Sequence, residues 1–146
     1  MIPTDRIILV RTLYGEARGE PRAGQVAVAW TVLNRARADL HGDGRPDWWG
    51  EGVAGVCLKQ WQYSCWNHGD PNLKAIAMAA PERPAFAACA DVVCAIEAGE
   101  EPDPTGGATH YHRAGMLKPP DWAFVAGQPR PSVRIGNHLF YSGVER

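Results

Sequence analysis

Residues 22–39, RAGQVAVAWTVLNRARAD, constrain the fold more than any other stretch of the chain. Val26, Ala27, Trp30 and Leu33 make one stripe at helical spacing, while Ala29, Val32 and Ala36 cover much of the other side. A helix that is apolar nearly all round cannot lie on a surface; other elements must enclose it. The stretch therefore predicts the buried central helix of an α+β, mainly helical domain. The 146 residues suffice to bury a core around such a helix, and residues 1–146 are expected to form one domain.

The elements expected around it follow from periodicity and breakers. Thr4 and Asp5 are candidate N-caps for a first helix reaching Arg18, which Gly19 and Pro21 then stop. Residues 41–71 are broken by glycine, aspartate and proline and read as loop, with QYSCW as a short extended piece and room for a small hairpin. Helices return over about 73–79 and 83–99, THYH follows a proline-rich turn, and SVRIGNHLFYS alternates like a strand. The expected architecture is a helical domain with a small β/loop insertion after its central helix.

Composition narrows the function. The formal net charge of -1 provides no global field toward nucleic acid or anionic lipid, and no apolar run approaches a membrane span. The N-terminal apolar stretch, Ile7 to Val10, lies between Arg6 and Arg11 and is no signal peptide. Synthesis in the cytoplasm is expected, with action elsewhere only after release. Cys57, Cys65, Cys89 and Cys94 form no C-x-x-C pair; free thiols are the default, although Cys57 and Cys65 flank a loop and pair if oxidised. Trp48, Trp49, Trp61 and Trp66 crowd a polar segment, where indoles either line a wet groove or close a small satellite core.

The carboxylate that invites chemistry is Glu16 in LYGEARGEP. It shares a helix face with Leu9 and Leu13 and stands near the helix C-terminus, a setting that favours the neutral acid by desolvation and by the dipole. A neutral carboxyl can protonate a leaving oxygen, as glycoside cleavage requires. The alternative is a frayed-end glutamate paired with Arg18 or Arg22. Glu20 is a candidate second carboxylate, although Pro21 pushes it toward extended backbone and a boundary role. His110, His112 and His138, with Glu16 as base, form an alternative zinc-hydrolase set, although H-x-H is common and nothing in the sequence fixes the third ligand.

Taken together, LYGEARGEPRAGQVAVAWTVLNR, WQYSC, DPTGGATHYH, PPDW and IGNHLFY, in that order, resemble the cell-wall hydrolase family of the spore cortex-lytic enzymes, the SleB and CwlJ type. The resemblance implies a lysozyme-like fold and cleavage of peptidoglycan glycan strands between N-acetylmuramic acid and N-acetylglucosamine. It implies a lytic transglycosylase in which one glutamate serves as acid and base, here Glu16, with no metal or other cofactor. A lysozyme-type hydrolase and, further off, a zinc-dependent amidase or peptidase are the alternatives. Gly15 would let a sugar approach the acid. Gln62, Tyr63 and Ser64 would wall the groove, with Tyr111 and His112 opposite, Trp122 from PPDW beside them and Glu20 in support. The family usually reads Y-Y-N where this chain has His110, Tyr111, His112 and Arg113, a departure on that wall. Without a leader or wall-binding domain in the sequence, the chain resembles a stand-alone phage-type lysin, expected to be a monomer.

Overall fold

The computed structural model describes residues 1–38, 49–60, 62–125, 128–129 and 131–144. Trp48, Trp61 and the first part of the segment read as loop after the central helix lie outside these residues. Five α-helices occur among them: α1 (Pro3–Ala17), α2 (Arg22–Arg37), α3 (Gly52–Leu58), α4 (Pro71–Ala77) and α5 (Pro84–Glu97). The strands are β1 (His110–Arg113), β2 (Phe124–Val125), β3 (Gln128–Pro129), β4 (Val133–Ile135) and β5 (His138–Tyr141). β1, β5 and β4 form an antiparallel sheet in that order, and β2 with β3 a two-stranded ribbon.

The all-round apolar pattern of residues 22–39 has the expected consequence. On α2, Val26 through Ala29, Thr31, Val32 and Leu33 are buried, and α1, α3 and α5 pack around the helix. Leu9 and Leu13 of α1, Val56 of α3 and Val92 and Val93 of α5 are fully buried. Each such side chain contributes roughly 1.5–3 kcal/mol by leaving water. The exposed Arg6–Glu97 pair that also links α1 to α5 contributes about 0–1 kcal/mol, so packing sets the place of α1.

Three expectations need correction. The first helix is not capped by Thr4 or Asp5: it starts at Pro3, whose missing N–H costs nothing in a first turn. Asp5 Oδ1 instead accepts from the Ala54 N–H at 3.1 Å, satisfying a first-turn donor of α3. That helix lies inside the stretch read as loop. Gly50 and Gly52 have positive φ and mark its entrance rather than an absence of structure, and Val53, Val56 and Cys57 follow at helical spacing. QYSCW is not extended either: Ser64–Trp66 form a 3-10 turn.

The single alternating strand expected at the C-terminal end is a hairpin, β4 and β5, turning through Gly136 at φ +57°. Opposed residues of an antiparallel pair share a face. Arg113↔His138 and Tyr111↔Phe140 therefore project to one side, while His112↔Leu139 and His110↔Tyr141 project to the other. The end of α2 ties the helices to this sheet. Asn34 donates to Asp103 and to the Ala108 carbonyl, and Arg35 Nε donates to the Thr109 carbonyl at 2.6 Å. Asp103 in turn accepts from the Thr105 and Gly107 N–H groups, which fixes the glycine turn leading into β1.

Candidate active site

Glu16 stands on the last turn of α1, half-buried, with Leu9 and Leu13 behind it in the core. Each of its oxygens accepts one hydrogen bond: Oε1 from the Cys65 backbone N–H at 3.1 Å and Oε2 from the Tyr111 hydroxyl at 3.2 Å. Neither Arg18 nor Arg22 takes it. Arg18 donates to the Tyr14 and Gly15 carbonyls and to Asn72, so it caps the helix end; Arg22 holds Glu101 and Asp91. Burial, and next the Glu16 carboxylate, push the Tyr111 phenol well above its ordinary range, so it stays a donor at any working pH.

Gly15 does not open a path to a sugar. It is buried, and a Cβ there would lie 2.6 Å from Ile76 Cδ1 and 2.7 and 2.8 Å from Cys65 Cβ and Sγ. The glycine lets Cys65 press against α1, and that contact brings the Cys65 N–H to Glu16. The thiols are not part of this chemistry. All four cysteines are free; burial pushes Cys57 up to about 12 and Cys65 further still.

Glu20 follows the helix end and is clamped from the hairpin turn. It accepts from the Asn137 N–H through Oε1 and from Asn137 Nδ2 through Oε2, both at 2.9 Å. His138 Nδ1 lies 3.2 Å from Oε1, at ion-pair distance but without hydrogen-bonding alignment. A Cβ on Gly136 would fall 2.8 Å from Oε1, so this turn needs glycine for space as well as for its φ. Burial pushes the Glu20 carboxyl up, and the two Asn137 bonds together with the nearby His138 and Arg113 charges outweigh it, leaving the carboxyl below its ordinary value. Burial lowers the His138 imidazole, and Glu20 only partly offsets that.

An open cleft of about 380 Å³ runs over these groups, lined by Glu16, Glu20, Arg113, Arg134, Asn137 and His138 among others. The larger hollow, about 420 Å³, lies elsewhere, between Met1, Trp30, Arg37 and Glu97; its carboxylates Asp5 and Glu97 are taken by the Ala54 N–H and by Arg6.

The structure thus gathers Glu16, Glu20 and Tyr111 from the sequence-derived set and sends the rest elsewhere. Tyr63 is a core residue, 1% exposed, bonded to Thr31 and lying under the Arg35 guanidinium. Gln62 accepts from Arg35 Nη1 at 2.6 Å, and Ser64 is exposed in the 3-10 turn. His112 points to the far side of the sheet, where Nε2 meets the Tyr141 hydroxyl at 2.8 Å and Trp122 packs against both histidines of β1. Trp49, buried, joins that cluster edge-on to His110, and Trp66 donates to Thr12. His138 faces Tyr111 across the inner side, their rings 4.9 Å apart. His110 and His112 therefore cannot share a metal ion with His138, and among the described residues no three His, Cys, Asp or Glu side chains converge as a metal site. Asn137 and Arg113 were missed as site residues. The parity of HYHR offered a signal: if Tyr111 faces the acid, Arg113 must share its face and both histidines must turn away.

A mainly helical domain with a small antiparallel sheet, holding carboxylates in an open polar cleft, has the lysozyme-like build. The chain belongs to the cell wall hydrolase family, whose sequence pattern matches residues 19–141. Glu16 lies just before that span. Among curated relatives, the spore cortex-lytic enzyme of Halalkalibacterium halodurans is 32% identical over 91% of this chain, and that of Bacillus subtilis 29% identical over 91%. The chain spans only 33% and 36% of their respective lengths. Among solved structures, the catalytic domain of Bacillus cereus SleB superposes with a TM-score of 0.62 at 25% identity, covering 97% of this chain and 92% of that one. The catalytic domain of the germination-specific lytic transglycosylase SleB from Bacillus anthracis gives 0.60 at 26% identity, covering 97% of each.

Proposed function

We propose that the chain cleaves peptidoglycan glycan strands as a lytic transglycosylase, between N-acetylmuramic acid and N-acetylglucosamine, with Glu16 as the single acid and base. The observation that carries this reading is the unequal use of the two carboxylates in the cleft. Both Glu20 oxygens accept from Asn137, His138 Nδ1 lies 3.2 Å from Oε1, and the side chain is only 10% exposed, so Glu20 is tied to the hairpin turn. Glu16 is held by one bond per oxygen and is half open to the cleft. A retaining or inverting hydrolase needs a second working carboxylate; intramolecular closure does not.

In the proposed reaction Glu16 hands its proton to the glycosidic oxygen as the bond from that oxygen to the muramyl C1 breaks. The muramyl O6 then bonds to C1, and its proton passes to the Glu16 carboxylate, which restores the acid and consumes no water. The Cys65 N–H and the Tyr111 hydroxyl hold the carboxyl in one orientation through both transfers. The relative from Bacillus anthracis, described as a lytic transglycosylase, supports the same chemistry.

The test is digestion of purified peptidoglycan by the wild type and by Glu16→Gln, with mass spectrometry of the released fragments. Anhydro-muramic ends that vanish in the variant are expected. Reducing muramic ends would turn the reading into hydrolysis and make Glu20 the next residue to change. A fully active Glu16→Gln would remove Glu16 from the chemistry.

A further inference from the structure

The cleft holds two cations that the proposed proton transfers do not use. Arg113 is exposed on β1, two residues from Tyr111 and opposite His138, on the inner face of the sheet. Its guanidinium makes no hydrogen bond or ion pair with any described residue. Arg134 reaches from the edge strand β4 around the hairpin turn, where Nε meets the Gly136 carbonyl at a long 3.4 Å. Four other arginines are spent: Arg6 on Glu97, Arg18 on helix-end carbonyls, Arg22 on Asp91 and Glu101, Arg35 on Thr109 and Gln62. Arg113 and Arg134 line the same cleft as Glu16, and apart from Arg134 Nε their guanidinium donors bond to no described residue.

Their chemistry is wrong for the reacting carbon. A glycosidic bond breaks with positive charge developing at C1, which a guanidinium opposes. They suit a negative group carried beside the bond. In a strand of alternating N-acetylglucosamine and N-acetylmuramic acid the sugar rings and acetamides are neutral. The lactyl arm of the muramyl unit is the exception, ending in a carboxylate or in a peptide that bears carboxylates. Guanidinium and carboxylate match in charge and fork geometry.

We infer that Arg113 and Arg134 form a carboxylate subsite that selects muramyl units by the charge on their lactyl arm. The inference rests on the glycan reading and adds a specificity to it: the enzyme discriminates a charged arm from a neutral one. Lactyl carboxylate and peptide carboxylate offer the same chemistry, and the substrates below separate them.

The experiment measures kcat/KM on peptide-bearing strands and on amidase-stripped strands, each with native carboxylates and each after carbodiimide coupling to methylamine. Wild type, Arg113→Gln, Arg134→Gln, the double variant and Arg113→Lys are compared. The wild type is expected to prefer the carboxylate form by about tenfold, from two partly exposed charge pairs. That preference should fall toward unity in the double variant, and Arg113→Lys should keep part of it. A preference seen with stripped strands assigns the lactyl carboxylate itself; one confined to peptide-bearing strands assigns the peptide. If Arg113 only steadies nearby Glu20, the variants slow both forms equally and leave the ratio untouched, which overturns the subsite. Equal cleavage of charged and neutralised strands by the wild type, with anhydro ends still formed, overturns the subsite and leaves the transglycosylase reading standing. No cleavage of any strand overturns both.

Discussion

Gly15→Ala is the sharpest test of how the fold positions the proposed acid. A Cβ there would sit 2.6 Å from Ile76 Cδ1 and under 3 Å from Cys65 Cβ and Sγ, where carbon contacts ordinarily settle near about 3.5–4.0 Å. Overlaps of roughly 1 Å must therefore be relieved on two elements at once. Ile76 and Cys65 are 1% and 0% exposed, and the Cys65 Cβ is fixed to its backbone, so side-chain rotation alone cannot make room. Overpacking of this kind costs about 1–3 kcal/mol, and alanine returns about 1 kcal/mol in helix propensity. With backbone obliged to move, the net lies in the upper part of that difference, destabilising by about 1–2 kcal/mol, or a melting temperature lower by roughly 2–8 °C at this chain length. The same displacement lengthens the 3.1 Å bond from the Cys65 N–H to Glu16, so turnover at a temperature where the variant is folded should fall as well. Calorimetry and a peptidoglycan solubilisation rate read the two effects separately. Gly19→Ala, where a Cβ meets nothing within 4 Å, is the stability control. A Gly15→Ala protein that melts at or above the wild-type temperature refutes the packing argument; one that melts lower yet turns over normally refutes the link from Cys65 to Glu16.

Tyr111→Phe keeps the ring against Phe140 and His138 and removes only the donor to Glu16 Oε2. At 3.2 Å to a half-open acceptor the loss is about 1.5 kcal/mol, read as a roughly tenfold lower kcat/KM; wild-type kinetics would mean that the phenol does not position the acid. The pH dependence of stability follows from the two depressed groups of the clamp. The folded His138 value lies below its ordinary 6.5 and that of Glu20 below its ordinary 4.5, so each contributes stability above that ordinary value and loses it as pH falls through the folded one. The melting temperature should therefore begin to drop below about pH 6.5 and steepen below about 4.5. Glu20→Gln should flatten the lower part, leaving the share of Asp103, which is also depressed. A Glu20→Gln profile parallel to wild type over pH 3–5 would refute the clamp.

What the sequence made legible was set by how local the cause is. The burial of α2 follows from its own side chains, and so does the end of α1 at Gly19 and Pro21. α3 was hidden because Gly50 and Gly52 read as breakers in any window, while the donor and acceptor that anchor the helix, Ala54 and Asp5, stand 49 residues apart. The sites of Gln62 and Tyr63 were illegible for the same reason. A polar-aromatic segment reads as a groove wall until Arg35 and Thr31 are known to claim it.

The β1–β5 ladder carries the deeper lesson, because one structural fact decides several chemical ones. Side chains alternate across a strand, so placing Tyr111 against Glu16 commits His110 and His112 to the Trp122 face and Arg113 to the cleft. The histidine set and the tyrosine wall were thus competing hypotheses about a single register, although in the sequence they read as independent motifs. The same register brings His138 beside Glu20, and the glycine turn next to it supplies the Asn137 bonds that occupy the second carboxylate. In the proposed reading, a two-residue turn more than a hundred positions away from either glutamate sets whether this cleft works with one acid or two. A slip of one residue along β5 would turn Leu139 toward the cleft and release Glu20. The chemistry proposed for Glu16 depends on that register as much as on the glutamate itself.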